Sequence, residues 1–157
     1  MQKITPFLWF DDKAEEAANF YVSLFDDSKI LSVSRYGDAG PGPKGSAMTV
    51  QFELAGQEFL ALNGGPRFPF TEAVSFAVSC KSQGEIDKFW NALTEGGKPG
   101  QCGWLKDRYG LSWQVVPTRL AQLFKDGNPK KSAAVMKAML SMQKMDIATL
   151  ERASEQA

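Results

Sequence analysis

The sequence predicts an α+β fold in which tandem βαβββ modules form a cupped mixed sheet, with a C-terminal helical extension. Three observations predict this class. Short stretches that alternate apolar and polar residues indicate strands, and each half holds one stretch with the spacing of an amphipathic helix. A shift of 69 positions aligns the two halves, pairing Phe20 and Leu24 with Phe89 and Leu93. After residue 117 the pattern becomes helical.

The first module is predicted to span residues 3–63. Its elements are a strand, a helix and three more strands, at residues 3–10, 12–25, 29–36, 47–54 and 57–63. Pro6 cannot donate a backbone hydrogen bond, which implies an edge position or a bulge in the first strand. Residues 37–45 are rich in glycine and proline and are expected to form an exposed, mobile loop. Alternation places Met48 and Val50 on one apolar face of their strand.

The second module is predicted to span residues 72–117. It holds a strand at 73–80, a helix that Ser82 caps, and a final strand that follows the turn Asp107–Gly110. Residues 118–157 are predicted to form helices, with the last ten residues frayed. The whole chain, residues 1–157, is interpreted as a single domain built of these parts.

Composition excludes several classes of function. The 18 basic and 18 acidic side chains balance, so there is no basic excess of the kind that nucleic-acid binding requires. No apolar run is long enough to cross a membrane and no signal-peptide pattern opens the chain, so we expect a cytoplasmic protein. The chain has no histidine, which removes the commonest general base and the commonest metal ligand. Its two cysteines are too few for a zinc site.

A few residues are candidates for chemistry. Glu53 is expected on the polar face of a central strand, where it could act as a catalytic acid or base. The pairs Asp11-Asp12 and Asp26-Asp27 flank the first helix and are interpreted as capping and turn residues. Cys102 is interpreted as a packed thiol, since no histidine can activate it.

Several motifs resemble those of a known family. They are LWFDD at 8–12, AEEAANFY at 14–21, LNGGP at 62–66, VSFAVSC at 74–80 and DRYGLSWQ at 107–114. Together with the tandem modules, over residues 3–117, they resemble the PhnB-like branch of the vicinal oxygen chelate superfamily, the glyoxalase/bleomycin-resistance group. Members of this branch are often labelled 3-demethylubiquinone-9 3-methyltransferase.

The resemblance implies a sheet that encloses a cavity, and a homodimer. Enzymes of the superfamily hold a divalent metal through His and Glu at four strand positions, which correspond here to Thr5, about Leu60, Ala73 and Gln114. None of these is a histidine or a carboxylate, so we expect no bound metal. The methyltransferase label has no support from a cofactor-binding fingerprint in the sequence, and we expect no cofactor.

The concave face of the predicted sheet is the expected place for a small-molecule ligand. The predicted ligand-binding residues are Thr5, Phe7, Trp9, Gln51, Glu53, Ser75, Ser112 and Gln114. The leading hypothesis is a metal-free small-molecule binding protein. One alternative is an enzyme acting on a small oxygenated or aromatic substrate, with Glu53 as acid/base. Another is a structural or partner-binding domain whose contact surface is the methionine-rich stretch 133–145.

Overall fold

The structure, a computed structural model, describes residues 2–157. It divides into two compact units, the first ending at Phe70 and the second running from Thr71 to Ala157. Each unit holds one four-stranded mixed sheet. The predicted α+β class, the tandem βαβββ modules and the helical extension are confirmed.

The first unit has the element order βαβββ. Its elements are β1 (Phe7–Phe10), α1 (Ala14–Leu24), β2 (Lys29–Arg35), β3 (Ala47–Leu54) and β4 (Gln57–Asn63). The sheet order is β1-β4-β3-β2, with β1 parallel to β4 and the other pairs antiparallel. The predicted edge position of the first strand is confirmed. The strand begins only at Phe7, although the carbonyl of Pro6 already accepts a hydrogen bond from the amide of Leu60.

Helix α1 packs its small residues against the sheet. Ala14, Ala17, Ala18 and Tyr21 are fully buried on one helix face, and Val50 and Phe52 of β3 are fully buried opposite them. Three alanines on that face let the helix approach closely. Burial of a side chain as large as Phe52 contributes roughly 1.5–3 kcal/mol to stability.

Met48 does not share the buried face of Val50. Its side chain is 37% exposed, whereas Ala47 is 5% exposed. The register between β2 and β3 shifts at this point, from Ser34 opposite Thr49 to Arg35 opposite Ala47. A bulge adds one residue to one strand and so reverses the faces beyond it. The predicted orientation of Met48 is therefore wrong.

The second unit repeats the first and adds helices. Its elements are β5 (Ser75–Cys80), α2 (Gln83–Thr94), β6 (Lys98–Pro99), β7 (Trp104–Lys106), β8 (Ser112–Pro117), α3 (Thr118–Lys125), α4 (Pro129–Leu140) and α5 (Ile147–Glu155). The sheet order is β5-β8-β7-β6, with β5 parallel to β8. The predicted cap is confirmed, because the hydroxyl of Ser82 accepts a hydrogen bond from the amide of Glu85.

The C-terminal segment is docked rather than frayed. Gln83, at the start of α2, donates to the carbonyl of Met145 and accepts from the amide of Ile147. Leu150 of α5 is fully buried and Met145 is 1% exposed. These contacts hold the last helix in place, so the expected fraying of the last ten residues is wrong. Within residues 2–157, none of the helices is both long and apolar enough to cross a membrane.

Candidate functional site

The predicted ligand-binding residues of the first unit lie on the open face of its sheet, the face opposite α1. Phe7 and Gln51 flank Leu60 in one row across the strands, and Trp9 and Thr49 flank Leu62 in the next. Phe7 is 54% exposed and the other members of these rows are half-buried. The face is therefore amphipathic and open to contact. Thr5, also half-buried, precedes β1.

Glu53 occupies the third row of this open face. It lies opposite Glu58 on β4 and opposite Lys29 on β2. Like charges opposite each other on neighbouring strands repel, and Lys29 offsets that repulsion. The role of Glu53 as an acid/base stays a prediction.

The predicted residues of the second unit lie together on one face of its sheet. Ser75 pairs with Ser112 in the parallel register, and the amide of Gln114 donates to the hydroxyl of Ser75 over 3.0 Å. Ser112 is fully buried, and its hydroxyl has no hydrogen-bond partner among the described residues. A buried hydroxyl without a partner costs about 1–3 kcal/mol, which a bound water would offset. Ligand binding by these three residues stays a prediction.

The donor set at the four superfamily metal positions does not fit a metal ion. Thr5 and Gln114 offer only neutral oxygens, and the amide of Gln114 is already bonded to Ser75. Leu60 and Ala73 offer no side-chain donor at all. Across residues 2–157 the structure shows no group of three or more cysteine, aspartate or glutamate side chains placed to hold a metal ion.

A cleft of about 470 Å³ in the first unit opens where the parallel strands β1 and β4 end. Its lining residues come from three separate stretches of chain: Trp9, Asp11, Asp12, Tyr36, Pro41, Gly42, Pro43, Ser46, Leu62, Asn63, Gly64 and Gly65. Among the eight predicted ligand-binding residues, all of them described, only Trp9 lines this cleft. Its volume lies within the range of small-molecule sites.

Trp9 is fixed in the wall of the cleft by the two glycines that follow β4. Its indole N–H donates to the carbonyl of Gly65 over 2.9 Å. The indole ring lies so close to Gly64 that a Cβ on that residue would be 2.3 Å from the ring atom Cζ2. The ring also meets Phe68 edge to face, with centroids 4.9 Å apart. The two glycines of the LNGGP motif therefore hold the indole of Trp9: Gly64 leaves room for the ring, and Gly65 accepts its hydrogen bond.

Tyr36 forms a second aromatic part of the lining and supports the loop 37–45. A Cβ on Gly40 or on Gly42 would lie 2.5 Å or less from the tyrosine ring. The backbone of the loop therefore rests directly on the ring. The hydroxyl of Tyr36 donates to the carbonyl of Asn63 over 2.7 Å. The loop has no helix or strand and is largely exposed, as predicted.

Asn63 connects the end of β4 to two neighbouring elements. Its side-chain oxygen accepts from the amide of Ala14 at the start of α1, over 2.8 Å, and its side-chain nitrogen donates to the carbonyl of Ala47. This asparagine therefore satisfies one of the free amides at the helix start. The acceptor for this amide comes from a residue distant in sequence rather than from a local capping residue.

Asp11 and Asp12 do not cap α1, although the sequence predicted that role for them. Lys13 occupies the N-cap position of α1, and no side chain there caps the helix. Both aspartates are exposed and line the cleft. The capping interpretation of this pair is wrong. The residue type at position 63 was the signal that sequence reasoning missed.

The two cysteines are single thiols, as expected. Burial raises the pKa of Cys80 to about 12, and the carboxylate of Glu85 adds to the effect. A thiol with such a pKa is inert at neutral pH. Cys102 is half-buried, with its backbone in the left-handed region at φ 58°, and its amide donates to the carbonyl of Met142.

Asp107 does more than open the turn before β8. One of its carboxylate oxygens accepts from the amides of Tyr109 and Leu111, and the other accepts from the indole N–H of Trp113 over 2.8 Å. Asp107 is 3% exposed and Trp113 is also 3% exposed. Trp113 is therefore a core residue. This buried pair fixes the last strand and lies outside the cleft.

Comparison with known proteins gives a consistent result. The family model for 3-demethylubiquinone-9 3-methyltransferase matches residues 2–116. The PhnB protein from Bacillus cereus is 43% identical, with a TM-score of 0.70, over 74% of this chain and 100% of that chain. Protein PA1353 from Pseudomonas aeruginosa is 23% identical, with a TM-score of 0.62, over 74% of this chain and 98% of that chain, and shows the fold alone. No curated protein matches the sequence. The resemblance to the PhnB-like branch of the vicinal oxygen chelate superfamily is confirmed.

Proposed function

Since the chain belongs to the 3-demethylubiquinone-9 3-methyltransferase family, in the PhnB-like branch of the vicinal oxygen chelate superfamily, we propose that it is a small-molecule binding protein. We place the ligand in the cleft of the first unit. One observation carries the proposal: a cleft of about 470 Å³ has two aromatic residues, Trp9 and Tyr36, in its lining. The half-buried indole of Trp9 supplies contact area for a ligand at a low cost in conformational entropy, and the buried ring of Tyr36 supports the loop that forms another part of the lining.

The lining is organised before any ligand arrives. Trp9 is held by the carbonyl of Gly65, and Tyr36 is held by the carbonyl of Asn63. Side chains fixed in this way lose little freedom on binding, which favours affinity. The cleft also adjoins the open face of the sheet, because Trp9 and Leu62 belong to both. Ligand contacts by Phe7 and Gln51 on that face remain part of the proposal.

We propose further that binding does not use a metal ion. The support is the chemistry of the donors, since two of the four superfamily positions, Leu60 and Ala73, have no donor atom. Elemental analysis of the purified protein should find less than one divalent ion per chain. A stoichiometric tightly bound ion would overturn this part of the proposal.

The methyltransferase name of the family is not carried into the proposal. The turns that lead from β1 to α1 and from β5 to α2 consist of Asp11 to Lys13 and of Lys81 and Ser82. Neither contains the glycine that lets a strand-to-helix loop approach a nucleotide cofactor closely. The residues present do not fit S-adenosylmethionine.

A fragment screen by amide NMR on the full chain tests the proposal. Ligands should shift the amide resonances of Asp11, Tyr36 and Gly64 together. The variant Ser46→Trp fills the cleft from its lining, and it should abolish these shifts while unfolding at a similar temperature. Ser23→Trp, on the exposed side of α1 and outside the cleft, is the matched control and should preserve them. Fragments that shift only amides remote from the cleft, or no fragment that binds, would refute the proposed site.

A further inference from the structure

The cleft of the first unit carries an unbalanced negative charge. Its lining contains two carboxylates, Asp11 and Asp12, and no lysine or arginine. No ion pair of the described residues involves either aspartate, although other acidic residues of the chain have such partners, among them Glu15 with Arg35 and Asp38 with Lys44. Two formal negative charges therefore face the cleft without a cation.

The start of helix α1 offsets this charge only in part. A helix N-terminus carries the equivalent of about half a positive charge, and α1 begins at Ala14, two residues after the pair. The amide of Ala14 is in addition directed to the side-chain oxygen of Asn63. The lining itself therefore carries two formal negative charges and no formal positive charge, which disfavours an anionic ligand there.

The aromatic residues of the lining offer carbon surfaces rather than hydrogen-bond donors. The indole N–H of Trp9 is bonded to Gly65, and the hydroxyl of Tyr36 is bonded to Asn63. The Tyr36 ring is 8% exposed and lies beneath the backbone of the loop, so the π-electron surface offered to a ligand is that of the half-buried Trp9 indole. Such a surface attracts organic cations.

A metal ion fits this arrangement poorly. Calcium takes six to eight oxygen ligands and magnesium six, and both prefer several carboxylates or carbonyl groups. The lining supplies two carboxylates, and within residues 2–157 no third aspartate, glutamate or cysteine side chain joins them to form a metal-binding group. Aromatic walls add nothing to the coordination of a hard cation, whereas they favour an alkylated ammonium group.

We propose that the cleft selects an organic cation, an amine or quaternary ammonium group attached to an apolar body. The charged group contacts Asp11 and Asp12, and the apolar body lies against Trp9, Leu62 and the prolines of the loop. This inference rests on the proposed function of the cleft and names the class of its ligand.

Choline and 3,3-dimethyl-1-butanol test the proposal, because they share one shape and differ in charge. Amide NMR titration of the full chain should show choline shifting Asp11, Asp12, Gly64 and Gly65, with a dissociation constant at least about fivefold lower than that of the alcohol. Magnesium chloride is the third probe. Magnesium should shift the same amide resonances with a higher dissociation constant than choline does.

The double variant Asp11→Asn/Asp12→Asn should remove the preference for choline. Asparagine is nearly isosteric with aspartate, and both positions are exposed, so the fold should be retained. The matched control is Asp26→Asn/Asp27→Asn, which removes two carboxylates of the same unit from outside the cleft. Asp27 has φ 53°, a conformation that asparagine tolerates. The control should bind choline as the unmodified chain does.

The outcomes separate the two proposals. Equal binding of choline and the alcohol, a preference that survives in Asp11→Asn/Asp12→Asn, or tighter binding of magnesium would overturn the organic cation and leave small-molecule binding at the cleft intact. No response to choline would also overturn the cation class. The fragment screen with Ser46→Trp then decides the proposed function by itself.

Discussion

Replacing Gly64 with alanine tests how tightly the cleft wall is built. A Cβ at this position would lie 2.3 Å from Cζ2 and 2.4 Å from Cε2 of Trp9. The backbone of Gly64 is not in the left-handed region, so the added methyl group acts through its contact with the ring alone. Because the indole cannot share this space, Trp9 must move away from the wall.

The expected cost follows from what that movement breaks. Overpacking of a fixed site costs about 1–3 kcal/mol. A displaced indole also loses its hydrogen bond to Gly65, worth about 0.5–1.5 kcal/mol, and its edge contact with Phe68, worth a similar amount. Because all these losses arise from the same movement of the indole, they overlap and cannot be summed. We therefore expect Gly64→Ala to lower the free energy of unfolding by about 2–3 kcal/mol.

Urea denaturation followed by circular dichroism measures this change, and the indole N–H resonance of Trp9 should move with it. Gly37→Ala is the matched control, since nothing lies within 4 Å of a Cβ there and its φ is also not positive. We expect that control to stay within about 0.5 kcal/mol of the unmodified chain. If the two variants had the same stability, the close packing of Trp9 on Gly64 would be refuted.

Three further predictions concern the second unit. Asp107→Asn should lower the free energy of unfolding by about 2 kcal/mol in urea denaturation, because its amide leaves the indole N–H of Trp113 without an acceptor; an unchanged midpoint would contradict this. Iodoacetamide at pH 8 should leave Cys80 unmodified until urea unfolds the chain, since burial raises its pKa to about 12, and peptide mass mapping of the folded protein would reveal any exception. The hydrogen bond from Lys144 lowers the pKa of Asp87 from its ordinary value of 3.8. The stability that this pair gives the C-terminal segment is therefore present above pH 3.8, and it is lost as the pH falls through the lowered pKa. Protection factors of the α5 amides, which are corrected for the intrinsic pH dependence of exchange, should fall over that range, and Asp87→Asn should remove this fall.

The periodic features of the fold could be predicted from the sequence. The tandem βαβββ order, the capping of α2 by Ser82 and the buried face of that helix with Phe89 and Trp90 all follow from local spacing. Local chemistry decides these features, because a helix or a strand reveals its buried face within a few residues. The wrong orientation of Met48 arose where a bulge interrupts that spacing. The single-domain organisation, the common cup, the homodimer and the cytoplasmic location stay predictions.

The candidate site depended on contacts between distant parts of the chain. Asp11 looked like a helix cap because capping is the usual role of aspartate before a helix. Asn63, 49 positions beyond Ala14, accepts the hydrogen bond from the amide at the helix start. The aspartate pair does not cap the helix and instead lines the cleft. No spacing rule connects those positions.

By itself, then, the sequence determined which segments form strands and helices and which family they belong to. Only the tertiary structure decided where the cleft lies, because three stretches must meet to form it: the end of β1, the loop after β2 and the end of β4. The pairing of β1 with β4 brings Trp9 beside Gly64, and the hydroxyl of Tyr36 fixes the loop to Asn63. A ligand site of this kind depends on the positions of side chains in space, and those positions are set by sheet register and by hydrogen bonds over long sequence distances.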